Sequence, residues 1–544
     1  MTAGTTVADV VGSVLAGLGV GHAFGVVGSG NFHVTNALRA RGVPFTAARH
    51  EGGAATMADA YARTSGEVAV LSLHQGCGLT NALTGITEAA KSRTPLLVLA
   101  ADTGGAAVRS NFRIDQDALA ASVGAVPERV HSSASAVADV LRAYETCRGQ
   151  RRTVVLNLPL DVQEQPCEPA TPRFVPQLPG RPNAAAASDL ARLLDGAERP
   201  VFIAGRGARH AGPELAALAD TCGALLATSA VANGLFTGHA WSLGISGGFA
   251  TDLAAELITG ADLVVAWGAS LTMWTTRHGA LIGDGTIVVQ VDDTPSAIGA
   301  QRAVDLGVLG DVGETARDVA VLVSGGPGYR TPALAERIAT AGRWSQIPVP
   351  QQAPDPDHID PRTLSAALDA LLPAERTVAV DSGNFMGYPS AYLAVPDSDG
   401  FCFTQGFQSI GLGLATALGA AIARPGRLTV AALGDGGFLM GISELETAVR
   451  LGIGMLVVVY DDAGYGAEFH HFTGADHGTV RFPDTDLAAI AAGYGCPAAT
   501  VRSEGDLDAV RKWLDGPRDR PMLVDAKVRT DEGSWWLMEA FRGH

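Results

Sequence analysis

Asp435 and Asp462 are the residues whose type and spacing point most directly to chemistry. Asp435 lies in Gly434-Asp435-Gly436-Gly437, at the end of the apolar run Leu428–Leu433, and Asp461-Asp462 ends a second run, Met455–Tyr460. Two carboxylates beside glycine-rich backbone suit a hard cation that bridges to phosphate. Magnesium takes oxygen ligands in near-octahedral geometry, usually one or two carboxylates plus substrate phosphates. The ligands on offer are Asp435, Asp462, the backbone carbonyl of Gly464, phosphate oxygens and a water. A lone Gly-Asp-Gly is more often an ordinary glycine turn. The separation of 27 positions and its strand–helix–strand context favour a metal site instead.

The elements that must position these carboxylates follow from the pattern. Each apolar run reads as a buried parallel strand. Ser443 is placed to cap the helix between them, with Leu445, Ala448 and Val449 on its inner face. Both acidic turns then lie at the carboxyl ends of strands, where open α/β sheets bind ligands. A second set of candidates lies near the N-terminus. The strand Phe45–Arg49 leads to Glu51, which opens a helix to Arg63 with small residues on one side. A carboxylate there is commonly just a dipole partner. Ser29 lies in Gly28-Ser29-Gly30-Asn31 after the strand His22–Val27. His74 opens the loop after the strand Val68–Leu73. An isolated Ser or His is more often structural, but both of these occupy sheet-end loops.

Taken together, these segments resemble thiamine diphosphate enzymes of the acetolactate synthase, benzoylformate decarboxylase and pyruvate decarboxylase family. The resemblance rests on Gly434-Asp435-Gly436 with Asp461-Asp462, and on Arg49-His50-Glu51 with Met57-Ala58-Asp59-Ala60-Tyr61-Ala62-Arg63; it spans nearly the whole chain. It implies that Asp435, Asp462 and the Gly464 carbonyl hold magnesium, and that Gly434, Gly436 and Gly437 approach the diphosphate. It implies that Glu51 hydrogen-bonds the aminopyrimidine and drives ylide formation, so that the cofactor becomes nucleophile and electron sink. In Thr404–Gly413, Ile410 matches the residue that props the bent cofactor, and the Gln408 carbonyl matches an acceptor for the pyrimidine amino group. Asn384, in Asp381-Ser382-Gly383-Asn384, reads either as a diphosphate contact or as part of a capping turn. Ser29 and His74 match active-site positions of benzoylformate decarboxylase, and the interval from His74 to Asn81 fits as well. Glu468, 33 positions beyond Asp435, matches a catalytic glutamate of pyruvate decarboxylase. His470 and His471 follow as either proton relay or surface.

Two departures qualify the resemblance. Asp461 stands where asparagine is usual, which adds a negative charge to the site unless Asp461 turns away or finds a partner. Asn111-Phe112-Arg113-Ile114-Asp115-Gln116 replaces the Phe-Gln-Glu segment usual in acetolactate synthases, which weakens acetolactate as the product.

Length and composition bound the rest. A chain of 544 residues, 47% apolar and 17% charged, can bury several cores. A net charge of −17 argues against nucleic acid as a partner. No apolar run approaches the roughly 18 residues of a membrane span. The first basic residue is Arg39, so no secretory signal is read. Six scattered cysteines without a CxxC suggest a reducing cytoplasm.

The expected architecture is α/β, with three doubly wound parallel-sheet domains: pyrimidine-binding 1–165, central 186–340 and diphosphate-binding 362–530. Pro166–Pro182 and Ile347–Pro361 read as linkers. Gly205-Arg206-Gly207 fails the dinucleotide spacing and reads as a structural turn, so FAD is not expected. The resemblance implies at least a homodimer, commonly a tetramer, with the cofactor between subunits. The expected reaction is decarboxylation of a small 2-oxo acid with ligation to an aldehyde or ketone acceptor. Simple decarboxylation and a catalytically silent cofactor-binding relative are the alternatives.

Overall fold

The computed structural model describes residues 5–171, 173–530 and 534–540. Its eighteen strands form three six-stranded sheets. The first holds β1 (His22–Gly25), β2 (Phe45–Ala47), β3 (Ala69–Leu73), β4 (Leu96–Asp102), β5 (Val126–Arg129) and β6 (Val154–Pro159). The second holds β7 (Pro200–Ala204), β8 (Leu225–Thr228), β9 (Ser242–Ile245), β10 (Leu263–Trp267), β11 (Ile287–Asp292) and β12 (Leu306–Leu309). The third holds β13 (Arg376–Val380), β14 (Phe401–Phe403), β15 (Leu428–Gly434), β16 (Leu456–Asp461), β17 (Ala498–Val501) and β18 (Met522–Lys527). Paired strands run parallel, as near-continuous apolar runs covered by helices on both faces require. The α/β class and three-sheet architecture read from the sequence are those observed.

Strand order decides where ligands go. The first sheet runs β2-β1-β3-β4-β6-β5 and the third runs β14-β13-β15-β16-β18-β17. The two orders are the same, so these units share a topology. In each, the order reverses between the first and third strands of the unit, and a crevice opens at the carboxyl ends of that pair. The central sheet, β12-β11-β10-β7-β8-β9, reverses between β7 and β10.

Two local readings are corrected. Gly434-Asp435-Gly436-Gly437 is not a free turn: Gly434 is the N-cap of a short helix, Asp435–Gly441. The aspartate therefore sits at the positive end of a helix dipole, which favours its charge. Ser443 holds the N-cap position of Glu444–Arg450 in helical conformation and makes no side-chain cap bond. Leu445 and Ala448 are buried, as read, and Val449 packs beside them.

The first and third units pack directly. The Glu51–Ser65 helix lies against Gly413–Ala423, so closely that a Cβ on Gly419 would come within 2.2 Å of the Met57 carbonyl oxygen. Two buried glutamates lock this contact in opposite directions. Glu88 of the first unit accepts the Gly406 and Phe407 amides at 3.0 and 2.6 Å. Burial pushes its carboxyl up, but Arg63, 2.8 Å away, and the two amides hold it below the ordinary range. Glu444 of the third unit accepts the Arg49 and His50 amides at 3.1 and 3.0 Å, just before Glu51. Among the described residues no helix is long and apolar enough to cross a membrane.

Candidate active site

At the first switch point, the loops after β1 and β3 carry Ser29 and His74. Asn31 is buried and fixes the first loop by accepting the Gly28 amide at 2.8 Å and donating to Ser72 Oγ at 3.1 Å. Gly28 is required by closeness, since a Cβ there would meet His74 Cδ2 at 2.4 Å. His74 Nδ1 lies 3.0 Å from the Gln75 carbonyl, which can only accept, so Nδ1 carries the proton in that bond. Nε2, the other ring nitrogen, lies 3.4 Å from the Ser29 hydroxyl. The Phe112 ring stands edge-on to His74 at 5.0 Å.

Glu51 begins its helix half-buried, after the His50 N-cap. Asn81 donates to Glu51 Oε2 at 3.1 Å. A Cβ on Gly78 would lie 3.3 Å from His74 Cβ and 3.7 Å from Glu51 Oε1. Ser29, His74, Glu51 and Asn81 thus share one edge of the first sheet.

At the third switch point, three loops converge. Asn384 follows β13, Asp435 follows β15 and Asp462 with Gly464 follows β16. Asn384 Nδ2 lies 3.5 Å from Asp462 Oδ2. A Cβ on Gly466 would fall 2.1 Å from that oxygen, so only glycine fits there. Asp381 is buried and binds the amides of Ser382 and Gly411, both at 2.9 Å, and of Leu412 at 3.3 Å. It thereby anchors the 404–413 loop, on which Gln408 sits exposed at φ 64° and Ile410 is half-buried. Ile410 is therefore not a core residue; one side of it is open. Burial pushes the Asp381 carboxyl up to about 6.

Burial, and then the charge of Asp461, lift the Asp435 carboxyl to about 7, against the pull of the Gly436 and Gly464 amides. Burial and then Asp435 push Asp462 well above the ordinary carboxylate range. Among the described residues no ion pair reaches either carboxylate. A buried Asp435 and a half-buried Asp462 that repel one another at one point suit a cation. No group of three or more His, Cys, Asp or Glu completes a cage among the described residues. Two carboxylates and a carbonyl fit magnesium that completes its shell from phosphate and water. Asp461 turns away from this point toward Lys527, at 2.6 Å.

Glu468 is half-buried on the helix Gly466–His471, directly after the turn that carries Asp462 and Gly464. His470 keeps a buried Nε2 without a hydrogen-bond partner, and burial lowers its pKa, so its ring is neutral at pH 7. Sequence reasoning missed the support of Asn384: Ser534 Oγ donates to its Oδ1 at 2.7 Å and Trp536 Nε1 to its carbonyl at 3.1 Å. It also missed Asn81 as the partner of Glu51, and Lys527. Each of these contacts joins residues distant in the chain, which no local pattern reveals.

At the central switch point, Arg206–Ala208 is a single 3-10 turn, and a Cβ on Gly205 would meet the Gly268 carbonyl at 2.3 Å. These glycines let two backbone segments of the same chain pack closely, as a structural turn does. A cavity of about 830 Å³, lined in part by Arg206, Arg209 and Asp292, opens beside them.

Comparison with known proteins agrees with this geometry. Residues 5–120 match the model of the thiamine pyrophosphate enzyme N-terminal TPP binding domain, 187–319 that of the central domain and 381–526 that of the C-terminal TPP binding domain. A sulfoacetaldehyde acetyltransferase of Rhodobacter capsulatus is 29% identical over 97% of this chain and 95% of its own. The catabolic acetolactate synthase of Raoultella terrigena is 27% identical over 95% of this chain and 96% of its own. The structure of a thiamine diphosphate-dependent 4-hydroxybenzoylformate decarboxylase from Rhodococcus jostii superposes with a TM-score of 0.83 at 21% identity, covering 97% of this chain and all of that one. With three family models in order along the chain and the acidic corner at the matching switch point, the protein belongs to the thiamine pyrophosphate enzyme family.

Proposed function

We propose that the protein decarboxylates a small 2-oxo acid and ligates the remaining fragment to a second carbonyl, using thiamine diphosphate and magnesium. The observation that carries the reading is the pair of facing carboxylates, buried Asp435 and half-buried Asp462, which no ion pair reaches among the described residues, at a switch point beside Gly464. Asp435, Asp462 and the Gly464 carbonyl would hold the metal; Gly434, Gly436, Gly437 and Asn384 would face the diphosphate. The Gln408 carbonyl and Ile410 would contact the pyrimidine side. When bound, the cofactor supplies the carbon nucleophile and the electron sink.

The chain's own residues do the rest. Glu51, oriented by Asn81, would face the pyrimidine and hold or release a proton at its carboxyl oxygen. His74, fixed by the Gln75 carbonyl and backed by Ser29, orients the substrate carboxylate. Glu468 delivers or withholds the proton that separates aldehyde release from ligation. Two relatives named as an acetyltransferase and an acetolactate synthase, aligned over nearly full length, favour ligation. The presence of Glu468 beside the metal turn favours simple decarboxylation as the second reading. The presence of Glu51 speaks against a silent relative.

Glu51 lies on the first unit and the proposed metal corner on the third, and the family resemblance supports completing the site between two copies, in a homodimer or tetramer. We assign residues 1–165, 186–340 and 362–530 to the pyrimidine, central and diphosphate domains, and place the protein in the cytoplasm. The test is a screen of 2-oxo acids for carbon dioxide release, with and without aldehyde acceptors. Release with each acid unaffected by any acceptor would remove the ligase reading.

A further inference from the structure

Asp461 is the immediate neighbour of Asp462, yet its carboxylate is turned out of the metal corner. Asp461 and Lys527 are direct partners across the parallel β16–β18 pair, which sends both side chains to one side of the sheet. Lys527 Nζ lies 2.6 Å from Asp461 Oδ2, and both side chains are almost fully buried. Asp461 Oδ1 accepts the Ala463 amide at 3.0 Å. Ala463 stands at φ 51°, a conformation that residues with a Cβ rarely adopt. The turn it makes presents Asp462 on one side and Gly464 on the other. Lys527 also reaches Asp484 Oδ1 at 2.6 Å, the Thr485 carbonyl at 3.1 Å and Asp525 Oδ2 at 3.2 Å. The same segment returns to the turn through the Phe482 amide, which donates to the Ala463 carbonyl at 2.8 Å.

We infer that Lys527 is a positioning residue for the metal corner: it holds Asp461 away from the cation and fixes the turn that carries Asp462 and Gly464. This rests on the metal reading of Asp435 and Asp462 given above. Three carboxylates and a diphosphate around one divalent cation carry excess negative charge. With Lys527 in place, only two carboxylates face the cation and the third acts as the turn's hydrogen-bond acceptor. The arrangement makes residues 461 and 527 interdependent. An asparagine at 461 can still accept the Ala463 amide and no longer needs the ammonium.

The experiment is calorimetry of thiamine diphosphate binding to the full-length apoprotein at saturating magnesium, with circular dichroism as a check of folding. Lys527→Met weakens cofactor binding by at least about tenfold, because a buried carboxylate is left unpaired beside the site. Asp461→Asn stays within about threefold of wild type, and adding Lys527→Met to Asp461→Asn weakens binding less than Lys527→Met does alone, as coupled neighbours require. Asp461→Ala, which loses the turn's acceptor, weakens binding about tenfold. If Lys527→Met does not fold, the contrast between Asp461→Asn and Asp461→Ala still decides. Unchanged affinity in Lys527→Met, even with a lowered melting temperature, overturns the inference and leaves Lys527 as a strut of the fold. Equal losses in Asp461→Asn and Asp461→Ala overturn it too. Asp435→Ala separates the two levels: undiminished binding there removes the metal reading itself.

Discussion

Asp435→Asn should stabilise the cofactor-free protein at alkaline pH while abolishing its response to magnesium. The wild-type carboxyl has an ordinary pKa of 3.8 and is lifted to about 7 in the fold, first by burial and then by Asp461. A tenfold change in a protonation equilibrium is worth about 1.4 kcal/mol, so this rise corresponds to an upper value of roughly 4 kcal/mol. The sign follows from linkage. The folded state holds its proton more tightly than the unfolded chain, so the carboxyl's contribution is fully present below about pH 4, is lost as pH rises to about 7 and is flat above. At pH 8 the apoprotein carries the whole penalty of an ionised, unpaired Asp435. Asparagine fills the same space without charge and carries none. Denaturant titration of apoprotein should therefore place Asp435→Asn about 1–4 kcal/mol above wild type at pH 8 and level with it near pH 4. With magnesium and thiamine diphosphate the order reverses, because only wild type gains from binding. Wild-type magnesium affinity should fall about tenfold per pH unit below about 7. A difference between the two proteins that does not change with pH, or an Asp435→Asn protein less stable at pH 8, would refute the argument.

Three further outcomes follow from the same geometry. Glu51→Gln should keep fold and cofactor affinity but lose about 10²–10⁴-fold in turnover, with hydrogen–deuterium exchange at cofactor C2 as the direct readout; exchange at the wild-type rate removes Glu51 from the mechanism. His74→Ala should slow carbon dioxide release in a single turnover, whereas Glu468→Gln should slow product formation with less effect on that first step; equal, small effects on both steps would show that neither side chain faces the substrate. Purified protein should show no flavin absorbance, because the Arg206–Ala208 turn lacks the dinucleotide spacing; a flavin spectrum that survives desalting would reassign the central cavity.

The sequence made the central strands plain, since β3, β4, β10, β15 and β16 are almost continuously apolar and fully covered. Of the edge strands, Phe45–Ala47 was legible but others were not. Val126–Arg129 is Val-Pro-Glu-Arg, half-buried throughout, and Leu306–Leu309 is half exposed, so neither carries an apolar signature. Ser29, His74, Asp435 and Asp462 were readable as strand-end residues, but strand order is a tertiary property, and the switch points that bring their loops together follow from it. The supporting contacts were hidden for the same reason. Lys527 meets Asp461 across 66 positions, Glu88 meets Phe407 across 319 and Glu444 meets His50 across 394. The extra charge expected at Asp461 is real as a residue but is met by Lys527, which only the register of two parallel strands reveals.

Local rules are broken in this chain where the third sheet ends. Gln408 and Ala463 adopt positive φ, Asp435 and Asp462 repel one another with no ion pair among the described residues, and His470 keeps an unpartnered buried nitrogen. A fold selected for stability alone would relieve each of these. At this edge the Glu88, Asp381 and Lys527 anchors hold the loops in that arrangement. The same edge exposes large apolar side chains, with Phe407 46% and Met440 58% accessible. Exposed apolar surface flanking unmet charge is the mark of a face that is covered in use. Within one chain, Glu444 grips the turn before Glu51 through backbone amides alone, from the packed side of its helix. This leaves the Glu51 carboxylate half-buried at the start of its helix, at the sheet edge it shares with His74 and Asn81.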